Sequence, residues 1–148
     1  MLARGEGRRV LCVFPRYTPS FGTFEFSYPL ADISAFMPPQ GLLVIAAAVP
    51  PSWSVRFVDE NMAPAGDDDF SWAEVVFVSG MHVQRQQIDD IARRAHDFGK
   101  VVVLGGSSVS ACPEHYPDFD YLHVGEMATP PTRCSRGSPR MSLGRRSR

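Results

Sequence analysis

Two runs of small residues, Ser79-Gly80-Met81 and Gly105-Gly106-Ser107-Ser108, mark where this chain could admit a large ligand. Each follows an unbroken apolar run, Val75–Val78 in the first case and Val101–Leu104 in the second. Strands of a parallel sheet are buried on both faces and read as such runs rather than as alternating ones. Ligands of these sheets bind just outside the carboxyl ends of the strands, in the crevice where the strand order reverses. Two neighbouring strands that end in residues with almost no side chain therefore predict a slot there.

The elements that must position this slot follow from the rest of the pattern. Val10–Phe14 reads as a buried first strand ended by Pro15. The segment Arg16–Met37 then carries Tyr17, Phe21, Phe24, Phe26, Tyr28 and Phe36 without helical or strand periodicity. Loops longer than about 12–15 residues are usually functional or disordered, and this one is too aromatic for disorder. Pro38-Pro39 opens an apolar helix, Gln40–Val49, which Pro50-Pro51 closes. Ser54–Val58 is a second strand, Asp67–Asp69 a solvated loop, and Phe70–Ala73 a helical turn. Ile88, Ile91, Ala92, Ala95 and Phe98 repeat at helical spacing over Gln84–Phe98, with Gly99 at the position of a C-terminal glycine. Tyr121–Val124 is the fifth strand and ends in Gly125-Glu126. Strands alternating with helices over short connections predict a doubly wound α/β domain, Rossmann-like, with a five-stranded parallel sheet. The flavodoxin-like order 2-1-3-4-5 places the crevice between the first and third strands.

The chain has 148 residues, 44% of them hydrophobic, enough for one domain with a core. Its formal charge of −1 conceals an uneven distribution. Residues 1–130 carry 9 basic against 16 acidic side chains, and the other six basic residues, all Arg, follow Pro130. The acidic body argues against a nucleic-acid surface. We divide the chain into an extension (1–8), a folded domain (9–127) and an Arg/Ser-rich tail (128–148). The tail's composition predicts disorder. It also resembles an out-of-frame reading of GC-rich coding sequence, so an abnormal or truncated terminus after about residue 127 is expected. Cys12, Cys112 and Cys134 are odd in number and lack C-x-x-C spacing, which argues against a disulfide framework and a structural zinc site. The longest apolar run, Leu42–Val49, is far short of the ~20 residues that span a bilayer. A cytoplasmic location is expected.

Several chemistries fail on their required residues. A receiver domain needs carboxylates after the first and third strands, where this chain has Pro15-Arg16 and Ser79-Gly80. A dinucleotide fold needs G-x-G-x-x-G after its first strand, where the aromatic segment lies. A flavodoxin phosphate loop has only a thin counterpart in Thr18, Ser20, Gly22 and Thr23. The pattern instead resembles the cobalamin-binding domain at the N-terminus of many radical S-adenosylmethionine enzymes. The resemblance rests on Pro38–Leu43, Val58–Asn61, Trp72–Val76, Ser79–Met81, Leu104–Gly106 and Asp120–Glu126, in that order. Phe14–Tyr17 and Met37–Gly41 most resemble the subgroup that includes hopanoid C-2 methylases.

The resemblance implies cobalamin as cofactor, with its nucleotide tail in a channel cleared by Ser79, Gly80, Gly105 and Gly106, and with Ser107 among the residues that bind it. Gly125 and Glu126 would flank the tail, while Met81, His82 and Pro39-Gln40-Gly41 would lie beside the corrin ring. Asp59, Glu60 and Asn61 could bond cofactor amides or only cap the next turn. His82 is read as a packing or hydrogen-bonding residue rather than a cobalt ligand, and no D-x-H-x-x-G motif supplies one. The aromatics of Arg16–Met37 either close one end of the core or face a hydrophobic substrate. A 4Fe-4S cluster and S-adenosylmethionine would belong to a longer parent, because the chain has no C-x-x-x-C-x-x-C triplet. The competing expectation is a stand-alone flavodoxin-like module carrying a flavin or cobalamin.

Overall fold

β1 (Arg9–Phe14) lies in the interior of the sheet, because Val10, Leu11, Cys12 and Val13 are all apolar and fully buried. The computed structural model describes residues 7–125 and the backbone of the pair 135–136. β2 (Ser54–Asp59) and β3 (Val75–Ser79) flank β1, followed outward by β4 (Val101–Gly105) and β5 (Tyr121–Leu122), all parallel. The order 2-1-3-4-5 is the expected one, and the fold is a doubly wound α/β domain. A two-residue β6 (Ser135–Arg136) adds an antiparallel strand beside β5.

Register assigns side chains to the two faces. Leu11, Val13, Val76, Val78, Val102 and Leu104 point into one core, packed under α4 (Arg85–Asp97) through Ile88, Ile91, Ala92 and Ala95. α3 (Asp67–Trp72) and α5 (Ser107–Ala111) add Phe70 and Val109 to the same core. The opposite face carries Val10, Cys12 and Phe14 under α2 (Gln40–Ala48), anchored by Leu42. α2 packs on β1 and β3, and on the same face of β4 Val103 is half-buried and Val101 38% exposed.

Local departures from expectation have local causes. α3 begins at Asp67, so the acidic run is its first turn and not a loop; carboxylates there complement the positive end of the helix dipole, and Asp69 Oδ2 accepts the Gly66 N–H at 3.0 Å. The aromatic segment is folded into short 3₁₀ turns and the four-residue α1 (Tyr28–Ala31), too short for periodicity to show. β5 keeps two of its four expected residues, although the His123 N–H still reaches Leu104 O at 2.8 Å. α5, in the Gly106–Tyr121 connection, was hidden by its five-residue length and its serines.

Candidate functional site

The carboxyl ends of β1, β3 and β4 meet at one edge of the sheet, as the small-residue turns predicted. Ser79 and Gly105 are register partners, and Ser79 is buried. The start of α2 closes on them: a Cβ on Gly41 would lie 3.8 Å from Ser79 Oγ, an ordinary contact distance. Pro39, the residue before α2, is buried, while Gln40 and Gly41 are exposed. Pro39–Gly41, Ser79–Met81 and Gly105–Ser107 therefore come together as a rim.

The clearance expected of the four small residues is divided between two jobs. Gly106 has φ +99°, and a Cβ there would sit 2.6 Å from Ser79 Oγ and 3.3 Å from the Gly80 backbone. Gly80 is enclosed as well, its hypothetical Cβ meeting Ile88 at 3.0 Å, Gln84 at 3.1 Å and Pro15 at 3.3 Å. These two glycines let chain segments touch, and they leave no trench of their own. Gly105 is different. A Cβ there would meet His123 at 3.8 Å, an ordinary contact distance, so the buried Gly105 is not forced by crowding and borders the half-covered face beside His123. Phe77, Val103 and Tyr121 form the floor beside it, all half-buried. His123 Nε2 is buried there without a hydrogen-bond partner among the described residues.

The acidic turn after β2 is occupied by structural bonds. Asp59 Oδ1 accepts the Asn61 backbone N–H at 2.9 Å and its Nδ2 at 2.7 Å. Asn61 Oδ1 accepts the Tyr17 N–H at 2.9 Å, which fastens the start of the aromatic segment. Glu60 pairs with Arg94 of α4 at 2.6 Å and accepts the Ala65 N–H, placing it on the face away from α2. These residues cap and tie.

Met81 is half-buried in the α2-side core, and its N–H donates to Gln84 Oε1 at 2.9 Å. Gln84 Nε2 in turn donates to Pro15 O. The fully buried Gln84 thus locks the ends of β1 and β3 together, a role that the sequence concealed because Gln84 reads as an ordinary helix start. His82 is exposed, with Nδ1 3.4 Å from Ser108 Oγ. The Gly125 N–H donates to Ser110 Oγ at 3.0 Å. Glu126 lies outside the described residues. Asp120 was part of the sequence resemblance and here accepts the Val102 N–H at 2.9 Å, with His96 Nε2 at 3.1 Å.

Two surface cavities lie elsewhere. One of about 690 Å³ is lined by charged residues of α4 with Asp118 and Phe119, on the side of the sheet away from α2. The other, about 500 Å³, is formed by Pro19–Phe21 and Phe24–Ser27 of the aromatic segment. Phe21 and Phe26 there are more than 90% exposed, so these rings do not serve the core.

No family model matches the chain. It is 73% identical over 121 residues, 81% of its length, to a hopanoid C-2 methylase of Rhodopseudomonas palustris (strain TIE-1). It is 32% identical over 126 residues, 82% of its length, to an uncharacterized methyltransferase of Synechocystis sp.. These matches cover 23% and 24% of the two relatives, so the chain spans about a quarter of the length of the curated proteins it matches.

Proposed function

We propose that this chain is the cobalamin-binding part of a radical S-adenosylmethionine methyltransferase that acts on an unactivated carbon of a hydrophobic substrate. The observation that carries the reading is the 73% identity, over 121 residues of this chain, to a protein named hopanoid C-2 methylase. That face suits a wide, mostly apolar cofactor with a polar tail. Phe77, Val103 and Tyr121 offer an apolar floor, to which Gly105 adds no side chain. His123 Nε2 is an unpartnered polar atom beside that opening, available to a tail amide or phosphate. Met81, His82 and Pro39–Gly41 border the carboxyl-end opening, where the ring would rest.

When bound, cobalamin supplies a transferable methyl group. The chain's own residues bind and orient it, and the aromatic segment contributes apolar surface for the substrate through Phe21, Phe24 and Phe26. The iron–sulfur cluster and S-adenosylmethionine belong to the remainder of a longer parent, since the sequence has no cysteine triplet to hold them.

The test is retention of a coloured ligand. Purified protein is mixed separately with hydroxocobalamin and with FMN, desalted, and read by visible absorbance beside a circular dichroism spectrum. The expected result is retained cobalamin, near one per chain, and no FMN. Gly105→Phe adds bulk beside His123 on this face at a position without a positive φ, so it is expected to lose the cobalamin, with the circular dichroism spectrum checking that the fold is kept. FMN retained alone, or a folded protein that retains neither, overturns the reading.

A further inference from the structure

We propose a divalent transition-metal site of the zinc class at Cys112, Glu114 and His115, with His82 as fourth ligand. Its ligands are all side chains of this chain, so it forms without cobalamin, and it shares only His82 with the rim proposed for the corrin ring. One ligand atom of each of the first three residues lies within 4.8 Å of the other two. The local backbone explains why. Pro113–His115 is a single 3₁₀ turn, closed by the His115 N–H donating to Cys112 O at 3.1 Å. In 3₁₀ geometry the side chains of residues i and i+3 eclipse, so the Cys112 thiol and the His115 imidazole rise on one side of the turn. Pro113, at the first position of the turn, has no N–H to lose.

The donor set is that of a borderline-soft ion: one sulfur, imidazole nitrogen and one carboxylate oxygen. Zinc bonds of about 2.0–2.3 Å put tetrahedral ligand atoms roughly 3.3–3.8 Å apart, and the exposed Glu114 side chain is free to close the difference. Two features point to an ion. His115 Nδ1 is buried without a hydrogen-bond partner among the described residues, although such atoms are nearly always satisfied. The His82 ring centre lies 5.6 Å from that of His115. Imidazoles that share a tetrahedral ion hold their centres roughly 5–6 Å apart, given metal–nitrogen bonds of about 2.0–2.1 Å. Arg85, whose guanidinium reaches the His115 carbonyl at 3.5 Å, supports the turn through its backbone. The site spans the β3–α4 turn and the loop after α5, so an ion there would staple two separate connections of the sheet edge.

Co²⁺ is the probe, added to the complete 148-residue protein under reducing conditions with no cobalamin present. We expect a thiolate-to-cobalt charge-transfer band in the near ultraviolet and intense visible d–d bands of tetrahedral Co²⁺, saturating at one per chain. One equivalent of Zn²⁺ abolishes them. Cys112→Ser removes the charge-transfer band, while Cys12→Ser and Cys134→Ser keep it. Glu114→Gln changes an exposed residue without threatening the fold and weakens Co²⁺ binding about tenfold or more, as does His82→Ala. Absence of the bands in folded protein, or a charge-transfer band that survives Cys112→Ser, overturns the site. Unchanged affinity in Glu114→Gln or His82→Ala overturns that ligand's assignment. Loss of cobalamin binding in the preceding test leaves each of these outcomes intact.

Discussion

Gly105 and Gly106 are adjacent and do opposite work. Gly106 holds φ +99° and lets Ser79 approach to where a Cβ would collide, so a side chain there is both strained and crowded. Gly106→Ala is expected to cost about 1–3 kcal/mol, read as a lower urea midpoint with unchanged slope. Gly105→Ala, with only a 3.8 Å contact to His123, is expected to leave the midpoint within about 0.5 kcal/mol of the parent. The pair thereby separates a glycine that close packing and a positive φ require from one that neither requires. Cys12 shows how strongly the centre of the sheet is sealed: burial pushes its thiol up to about 12, so it stays protonated and inert while the protein is folded.

At the scale of elements, α4 is the amphipathic strut of the domain. Its inner stripe, Ile88, Ile91, Ala92 and Ala95, is buried, and its outer face carries the i,i+3 and i,i+4 pairs of Arg93 and Arg94 with Asp90. Asp89 departs from this scheme. Partial burial raises its carboxyl above the usual range, Arg85 opposes the shift, and the Asp118 carboxylate adds to it. The folded protein thus holds that proton more tightly than the unfolded chain does, and stability falls as pH rises through the interval between the two values. Asp89→Asn is expected to raise Tm most at neutral pH. The gain should vanish below about pH 3, where Asp89 is protonated in both states. A thermal melt series from pH 3 to 7 measures it. The aromatic segment is positioned differently, by Asn61 gripping the Tyr17 N–H and by Tyr17 packing on Phe14 and Phe36.

For the molecule as a whole, the two faces of the sheet are unequal. One is sealed by α3, α4 and α5; the other is covered by α2 over β1 and left partly open toward β4 and β5 among the described residues. Ile91→Ala in the sealed core is expected to cost about 2–5 kcal/mol. Val101→Ala on the open face, where Val101 is 38% exposed, should cost under about 1 kcal/mol in a urea melt. If cobalamin occupies that face, it stabilises the folded state by mass action and makes Tm rise with its concentration.

Strand order and the carboxyl-end location of the rim were legible in the sequence. Unbroken apolar runs such as Val75–Val78 can be satisfied only by burial on both faces, and short connections leave a parallel sheet few topologies. The terminal glycines were legible as well, but not their division of labour. A missing side chain looks the same in sequence whether it admits a ligand or a neighbouring strand. Only the pairing of β3 with β4 decided that Gly106 is crowded by Ser79 while Gly105 meets His123 at an ordinary contact distance. The same holds for Asp59, Glu60 and Asn61, whose partners Tyr17 and Arg94 are distant in sequence, and for His82 and His115, which the fold brings together. Periodicity is a local property and survives in the sequence; contacts across long separations come into being only when the chain closes on itself.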